Sequence, residues 1–197
     1  MNGEAPGWKR RVRASVRAQR AERPQRERDR AAQQLSEQLI SLVSAAGSQC
    51  VTAYLPTAAE PDTRGFLAWA LRHGVEVLLP ISMPDRTLDW TLHSSAAPAA
   101  GRHGILEPVG PRLGSGAAAS AELMLVPACA VDETGVRLGW GLGYYDRCLA
   151  ALEPRPPVYA VVFEAEILPE LPSDPHDVPV TGAVSPAGIR RFPTQTR

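Results

Sequence analysis

Residues 123–147 have the sequence LMLVPACAVDETGVRLGWGLGYYDR. The first four residues form a short apolar run that Pro127 stops, which is typical of a buried strand. A polar loop follows, and the pattern predicts a helix from about Gly143 to about Leu152. A buried strand that leads through a loop into a helix is the repeating unit of α/β sheets, so this stretch indicates the fold class.

Three further apolar runs, at 50–55, 75–79 and 158–163, have the same character. They are continuous rather than alternating, which predicts a parallel sheet covered on both faces. Helices are predicted over 9–23, over 25–46 and from Asp62 or Thr63 to His73, with Gly47 and Gly74 as stops. We therefore expect an α/β protein, a layered α/β/α fold with a mainly parallel central sheet and an N-terminal helical segment.

The remaining segments are predicted with less regular structure. Residues 87–92 alternate between apolar and polar, as in a strand with one exposed face, and 178–184 is predicted as a short edge strand. Residues 94–121 are rich in Ala, Gly, Ser and Pro and are predicted to be irregular. A chain of 197 residues suits one domain, so we expect a single domain over 1–197 with flexible tails at 1–8 and 186–197.

The charge of the chain is balanced overall but uneven along it. The formal net charge is zero, yet residues 1–30 hold ten basic and four acidic side chains, and 31–197 hold eleven and seventeen. This balance argues against a generally basic nucleic-acid-binding protein and leaves a local basic patch open. Lys9 is the single lysine, and the arginines at 10, 13, 17 and 20 recur at a spacing that places them on one helical face.

The cysteines and histidines do not form a familiar metal motif. Cys50, Cys129 and Cys148 form no CxxC pair, and the sequence has no HxxxH or HExxH spacing. A secretory segment and a run of 18 apolar residues are both lacking, so we expect reduced thiols, a cytoplasmic protein and no association with membrane.

The loop after LMLVP carries the residues best suited to chemistry. Ligands of open α/β sheets bind at the carboxyl ends of the strands, where this loop lies. Gly139, Gly141 and Gly143 allow the backbone to approach a ligand, and a helix that begins beyond them offers free N–H groups to an anion. Arg137 and Arg147 could clamp phosphate oxygens, and Asp146 suits Mg²⁺. A purely structural glycine-rich turn remains the alternative at this point.

The stretch VPACAVDETGVRLGWGLGYYDR, at 126–147, closely resembles the signature of the 5-formyltetrahydrofolate cyclo-ligase family, also called 5,10-methenyltetrahydrofolate synthetases. Four weaker matches occur in the family's order: KRRVR at 9–13, YLPTAAEPDTR at 54–64, HGILEP at 103–108 and LPSDPHDVPV at 171–180. The resemblance covers about residues 9 to 185. The chain departs from the pattern at Val131, Leu142 and Glu166, where many members have Phe, Gly and Gln, and at Val180-Thr181.

The resemblance implies ATP-dependent cyclisation of 5-formyltetrahydrofolate to 5,10-methenyltetrahydrofolate, with release of ADP and phosphate through a phosphorylated formyl intermediate. It implies ATP and Mg²⁺ as cofactors, a small-molecule substrate, a monomer, and no nucleic-acid partner. The implied catalytic residues are Arg137, Tyr144 and Tyr145. The implied ATP-binding residues are Lys9, Arg10, Arg13, Arg137, Leu138, Gly139, Trp140, Gly141, Leu142, Gly143, Tyr144, Tyr145 and Arg147. The implied substrate-binding residues are Tyr54, Leu55, Glu60 and Trp140, and the implied metal ligands are Asp146 and Asp177.

Three other functions stay open at the level of sequence. The arginines of the first 30 residues could bind nucleic-acid phosphates without catalysis. A sugar-phosphate isomerase or acyl transferase could use the same anion loop without ATP. A cyclo-ligase-like paralogue could act on another substrate, since Glu166 would add negative charge near a polyanion. Several single residues also have structural interpretations: Tyr54 as packing, the His176-Asp177 pair as a turn, and Cys129 and Cys148 as small core residues.

Overall fold

The computed structural model describes residues 5–174 and 177–193. Its helices are α1 (Ala5–Glu22), α2 (Gln25–Ala46), α3 (Arg64–His73) and α4 (Tyr144–Ala150). Its strands are β1 (Cys50–Thr52), β2 (Glu76–Ser82), β3 (Leu88–Leu92), β4 (Ala99–Ala100), β5 (Leu106–Glu107), β6 (Leu123–Pro127), β7 (Ala130–Asp132), β8 (Arg137–Leu138), β9 (Val158–Val161), β10 (Ile167–Leu168), β11 (Gly182–Ser185) and β12 (Gly188–Arg191). Short 3₁₀ helices span Arg102–Gly104, Ser115–Ser120 and Glu164–Glu166.

The central sheet has seven strands in the order β12-β11-β9-β6-β1-β2-β3. The five inner strands pair in parallel, and β3 and β12 run antiparallel at the two edges. Two smaller sheets accompany it, one formed by β10, β7 and β8 and the other by the β4–β5 hairpin. The predicted fold class, with a mainly parallel central sheet, is confirmed.

The sheet is covered on both faces, as its continuous apolar strands require. On one face α2 and α3 bury Leu39 and Phe66 against Val51 and Leu125 of β1 and β6. On the other face the core contains Trp90, Met124 and Leu149, the last from α4. Gly47 and Gly74 end α2 and α3 in the left-handed conformation, as predicted. The sheet thus holds the carboxyl ends of β1, β2 and β6 in one rigid row.

The predicted N-terminal tail at 1–8 is wrong over its second half, because α1 already begins at Ala5. Trp8 lies on the same helix face as Val12 and Val16, and the three pack with Cys129 and Leu138. This apolar contact stabilises the first turn of α1. Residues 1–4 lie outside the described part of the chain.

The C-terminal predictions are also wrong in part. The strand predicted at 178–184 spans Gly182–Ser185 and lies inside the sheet, between β9 and β12, rather than at an edge. Gly188–Arg191, predicted as tail, is the edge strand, paired with β11 across a tight turn. The sequence GIRR has no apolar alternation that would predict a strand. Backbone hydrogen bonds to β11 hold this segment in place instead. The rest of the predicted tail, residues 194–197, lies outside the description.

Two further segments differ from prediction because buried carboxylates satisfy backbone N–H groups. The strand β3 has no exposed face over Leu88–Thr91: Asp89 accepts from the N–H groups of Trp90 and Gly114 and is buried. The predicted polar loop after Pro127 is the β7–β8 hairpin, in which buried Asp132 accepts from the backbone of the turn. The region 94–121, predicted to be irregular, contains the β4–β5 hairpin.

Among residues 5–174 and 177–193, no helix combines the length and apolar character needed to cross a bilayer. Cys50, Cys129 and Cys148, all within the described part, form no disulfide.

Candidate active site

Two adjoining cavities lie at the carboxyl ends of the parallel strands. The first, which we call the cleft, has a volume of about 370 Å³ and is lined mainly by charged side chains and glycines. The second, the inner pocket, measures about 160 Å³ and is more apolar. Four residues line both cavities: Arg137, Gly139, Gly143 and Asp146. A ligand in the cleft would therefore meet a ligand in the inner pocket across the glycine loop, residues 137–147.

The glycine loop is fixed by arginines that contact its backbone. Arg13 donates from Nε to the carbonyl oxygen of Gly139 at 2.8 Å, and Arg147 donates to the carbonyl of Gly143 at 3.0 Å. A Cβ at position 139 would stand 3.0 Å from Nη1 of Arg137, so a side chain there would crowd the guanidinium. Gly141 has φ +100°, which strongly favours glycine. These contacts explain the alternating glycines.

Arg137 is the buried cation between the two cavities. Its side chain is 3% exposed, and Nη2 pairs with Oδ1 of Asp146. Its Nη1 donates weakly to the carbonyl of Pro127 at 3.4 Å, and its buried Nε has no hydrogen-bond partner among the described residues. A buried guanidinium with a spare donor is suited to an incoming anion.

Lys9 reaches the cleft from α1. Its Nζ lies 2.7 Å from Oδ2 of Asp174 and 3.1 Å from Oδ2 of Asp177, so the predicted nucleotide ligand contacts one of the predicted metal ligands. Burial by itself lowers the pKa of Lys9, but the hydrogen bonds to Asp174 and Asp177 outweigh burial and leave the pKa raised. Lys9 is therefore a cation at every pH at which the protein would work. His176, between these carboxylates, lies outside the described residues.

The two tyrosines of the glycine loop differ in their hydroxyl groups. Tyr144 donates to the carbonyl of Met83 at 3.1 Å, which ties α4 to the turn after β2. The hydroxyl of Tyr145 is buried and has no hydrogen-bond partner among the described residues. Burial raises the pKa of Tyr145 far above its ordinary value, so the phenol keeps its proton. Tyr145 lines the inner pocket and is a neutral donor without an acceptor.

The predicted substrate residues Tyr54, Leu55, Glu60 and Trp140 all line the inner pocket. Tyr54 is 3% exposed and donates to the carbonyl of Pro61 at 2.9 Å, so most of its ring belongs to the core. Glu60 accepts from the N–H of Thr57 at 2.9 Å, which folds the 56–61 loop over the pocket. Ile105, Leu106 and Glu107 close the pocket from the β5 side.

The other predicted nucleotide residues are less centrally placed. Leu138 and Arg147 line the cleft. Leu142 is 41% exposed and lines the inner pocket instead. The side chain of Arg10 is exposed and is not among the residues that line either cavity.

Comparisons with known proteins identify the family of this chain. Residues 5–186 match the profile of the 5-formyltetrahydrofolate cyclo-ligase family. The chain belongs to that family. A 5-formyltetrahydrofolate cyclo-ligase of Mycolicibacterium smegmatis is 34% identical over 187 residues, covering 92% of this chain and 95% of the relative. The solution structure of the Aquifex aeolicus 5,10-methenyltetrahydrofolate synthetase superposes with a TM-score of 0.79 at 30% identity, covering 96% and 94% of the two chains. The Mycoplasma pneumoniae synthetase, at 17% identity, shares the fold with a TM-score of 0.71 over 90% and 98%.

This member of the 5-formyltetrahydrofolate cyclo-ligase family replaces a frequent Gln by Glu166, and the structure shows where its charge goes. Glu166 and Arg20 are each 2% exposed and form two hydrogen bonds of 2.7 Å. The Arg20 guanidinium also lies 5.2 Å from the ring centre of Trp140. The expectation that Glu166 adds negative charge near a polyanion is wrong, because Arg20 neutralises it inside the protein.

Three residues of this site were not predicted from sequence. Arg20 was placed on one helical face with other arginines and given no partner, although it is buried, and Asp174 was not assigned although it contacts Lys9. Glu107 accepts from the N–H of Ser82 at 3.0 Å and so fastens the β5 side of the pocket to β2. The HGILEP match was the available signal for Glu107. No local pattern pointed to the Arg20–Glu166 pair.

Proposed function

We propose that this protein catalyses the ATP-dependent cyclisation of 5-formyltetrahydrofolate to 5,10-methenyltetrahydrofolate, with ADP and phosphate as the other products. The observation that carries this proposal is the junction of the two cavities at Arg137, Gly139, Gly143 and Asp146. A charged cleft suits the nucleotide phosphates, and the apolar inner pocket suits a folded pterin. Family membership supplies the substrate class.

In the first step, the formyl oxygen of the substrate attacks the γ-phosphorus of ATP. The P–O bond to the β-phosphate breaks, ADP leaves, and the poor leaving group of an amide becomes a phosphate ester. Such transfers depend on positioning and on positive charge around the phosphoryl group. Lys9, Arg13 and Arg137 border the cleft and supply this charge, while the glycine backbone of the loop allows close approach.

In the second step, N10 of the substrate attacks the activated formyl carbon and closes the five-membered ring. The C–O bond then breaks, inorganic phosphate carries away the electron pair, and N10 loses its proton. Tyr145, a neutral donor at the wall of the inner pocket, would donate to the formyl or phosphoryl oxygen while charge develops there. Trp140 would face the ring system of the substrate, backed by the guanidinium groups of Arg17 and Arg20.

A magnesium ion would enter together with the nucleotide. Within the described residues, no group of three or more His, Cys, Asp or Glu side chains could hold a metal alone. Asp146 and Asp177 both line the cleft, and two carboxylates combined with phosphate oxygens are the set that Mg²⁺ prefers. Bound there, the ion would neutralise phosphate charge.

The arginine stripe of α1 is a weak candidate for nucleic-acid binding, because three of its four members contact the protein. Arg13 donates to Gly139, Arg20 pairs with Glu166, and Arg17 lies over Trp140. Arg28, on α2, donates to the backbone carbonyls of Arg20, Ala21, Arg23 and Ala58.

A direct assay tests the proposed function. The purified protein, 5-formyltetrahydrofolate and MgATP are mixed, and the absorbance of the methenyl product is followed. We expect product formation that requires ATP and stops when ATP is replaced by a non-hydrolysable analogue. A folded protein that produces no methenyl absorbance would refute the proposal, and nucleotide-independent turnover of a phosphosugar would favour the isomerase alternative.

Replacing the single lysine separates nucleotide binding from folate binding. The change Lys9→Ala removes a charge-assisted contact to phosphate, and we expect the KM for ATP to rise about tenfold with a much smaller change for folate. Arg10→Ala is the matched control, since Arg10 neighbours Lys9 but lines neither cavity. Equal effects of Lys9→Ala on both substrates, or an equal effect of Arg10→Ala on ATP, would contradict these assignments.

A further inference from the structure

Two cations of the cleft are paired with its carboxylates. Arg137 pairs with Asp146, and Lys9 pairs with Asp177 and with Asp174. The side chains of Arg137, Lys9 and Asp177 are all well buried, at 3%, 14% and 14% exposed. Two of the cations proposed to bind phosphate, Arg137 and Lys9, are therefore already bound to carboxylates, and two of these carboxylates are the ones proposed to face the metal.

Because of these ion pairs, metal-free ATP and magnesium-loaded ATP would bind to the cleft with different affinities. Metal-free ATP would have to displace Asp146 from Arg137 and Asp177 from Lys9, which leaves two carboxylates beside a polyanion without a counter-charge. Separating a partly buried pair in this way is costly, and like charges add to the cost. Magnesium-loaded ATP offers a partner both to the cations and to the carboxylates. Its phosphate oxygens would replace the carboxylates on Arg137 and Lys9, and its magnesium ion would bind the displaced carboxylates.

We propose that Asp146 and Asp177, with Asp174 in support, select magnesium-loaded over metal-free nucleotide by exchanging ion-pair partners when it binds. The proposal rests on the proposed function in one respect, namely that the cleft binds a nucleotide. Asp174 supports the exchange by positioning Asp177: its backbone N–H donates to Oδ2 of Asp177 at 2.8 Å. The carboxylates thus act as specificity-determining residues as well as metal ligands.

The exchange predicts opposite effects of one substitution on two ligands. Asp177→Asn frees Lys9 from one carboxylate, so we expect metal-free ATP to bind about three- to tenfold more tightly than to the wild type. The same variant loses a metal ligand, so we expect MgATP to bind about tenfold more weakly. A residue that served only as a metal ligand would weaken MgATP and leave metal-free ATP unchanged, and a loss of structure would weaken both.

The experiment measures equilibrium binding of ATP by calorimetry, without folate, once with excess Mg²⁺ and once with EDTA. It uses the full chain as wild type, Asp177→Asn, Asp146→Asn and the control Asp62→Asn, which removes a carboxylate paired with Arg64 outside the cleft. We expect the ratio of the two affinities to fall at least tenfold in the Asp177 variant and to stay constant in the control. Asp177 keeps the test decisive if Asp146→Asn fails to fold, because its partner Lys9 is less deeply buried than Arg137, the partner of Asp146.

The possible failures are distinguishable. If wild type binds neither form of ATP, the proposed function fails and the exchange fails with it. If wild type prefers MgATP but Asp177→Asn binds metal-free ATP no more tightly than wild type, the exchange is refuted and the proposed function stands.

Discussion

The Tyr145→Phe variant is expected to lose about 100-fold in kcat while remaining at least as stable as the wild type. Tyr145 lines the inner pocket, and its hydroxyl is buried and has no partner among the described residues, so the hydroxyl contributes nothing to folding that the structure shows. Removing an unsatisfied buried donor relieves a desolvation cost, and we expect the free energy of unfolding to stay constant or rise by about 1 kcal/mol. Removing one donor to a developing oxyanion typically costs about 10²–10³ in kcat.

Tyr144→Phe is the matched control, since it deletes the same group from the neighbouring residue. Its hydroxyl donates to the carbonyl of Met83, so this variant should lose about 1 kcal/mol of stability and much less activity. Single-turnover kinetics and urea unfolding of both variants supply the measurement. A Tyr145→Phe enzyme with wild-type kcat, or one that unfolds more easily than Tyr144→Phe, would remove Tyr145 from the mechanism.

Tyr145 also has a consequence for alkaline stability. Burial raises the pKa of Tyr145 in the folded protein above the ordinary value of about 10. The contribution of Tyr145 to the free energy of unfolding is therefore fully present below pH ~10. It declines as the pH rises further, because the unfolded chain loses this proton at a lower pH than the folded chain does. We expect the stability of Tyr145→Phe to decline less steeply than that of wild type above pH ~10.

The Glu166→Gln variant is expected to show the largest loss of stability, about 3–5 kcal/mol. Gln keeps the shape of the side chain and can still accept from the backbone N–H of Phe163, which Glu166 Oε2 now does at 2.8 Å. The substitution removes only the charge that compensates Arg20. That guanidinium is 2% exposed, and its Nη1 already has no hydrogen-bond partner within the described part of the chain. An uncompensated guanidinium in the interior accounts for the expected loss.

Glu22→Gln provides the control, because Glu22 is exposed at the end of α1 and its change should stay within about 0.5 kcal/mol. Chemical denaturation at neutral pH gives both values. Because Arg20 lies over Trp140, we also expect the tryptophan fluorescence of Glu166→Gln to differ from that of wild type. If Glu166→Gln proves as stable as Glu22→Gln, the ion pair does not hold α1 against the sheet.

The central fold could be predicted because its signals are local. The runs LMLV and VYAV are apolar throughout, as expected for strands that are buried on both faces. Gly47 and Gly74 mark the ends of helices. The edge strand at Gly188–Arg191 was missed for the opposite reason. Its identity comes from backbone pairing with β11, which leaves no trace in side-chain pattern.

The residues of the candidate site also differ in whether local sequence could predict them. Gly139, Gly141, Gly143 and Arg137 are close in sequence, so local sequence was enough to raise an anion loop, beside a structural turn, as an interpretation. Lys9 and Asp177 are 168 positions apart, and only the resemblance to the family suggested that they belong together. Arg20 and Glu166 are 146 positions apart, and neither spacing nor resemblance predicted their pairing. The face of α1 that carries the arginines is therefore partly buried in the fold.

In the proposed reaction, phosphoryl transfer from ATP activates the formyl oxygen at the junction of the cleft and the inner pocket. The most direct measurement uses 5-formyltetrahydrofolate labelled with ¹⁸O in the formyl group, followed by mass analysis of the inorganic phosphate released during turnover. We expect one ¹⁸O in each phosphate released, since the formyl oxygen leaves bound to phosphorus. Unlabelled phosphate, with the ¹⁸O recovered in water while unreacted substrate keeps its label, would contradict it.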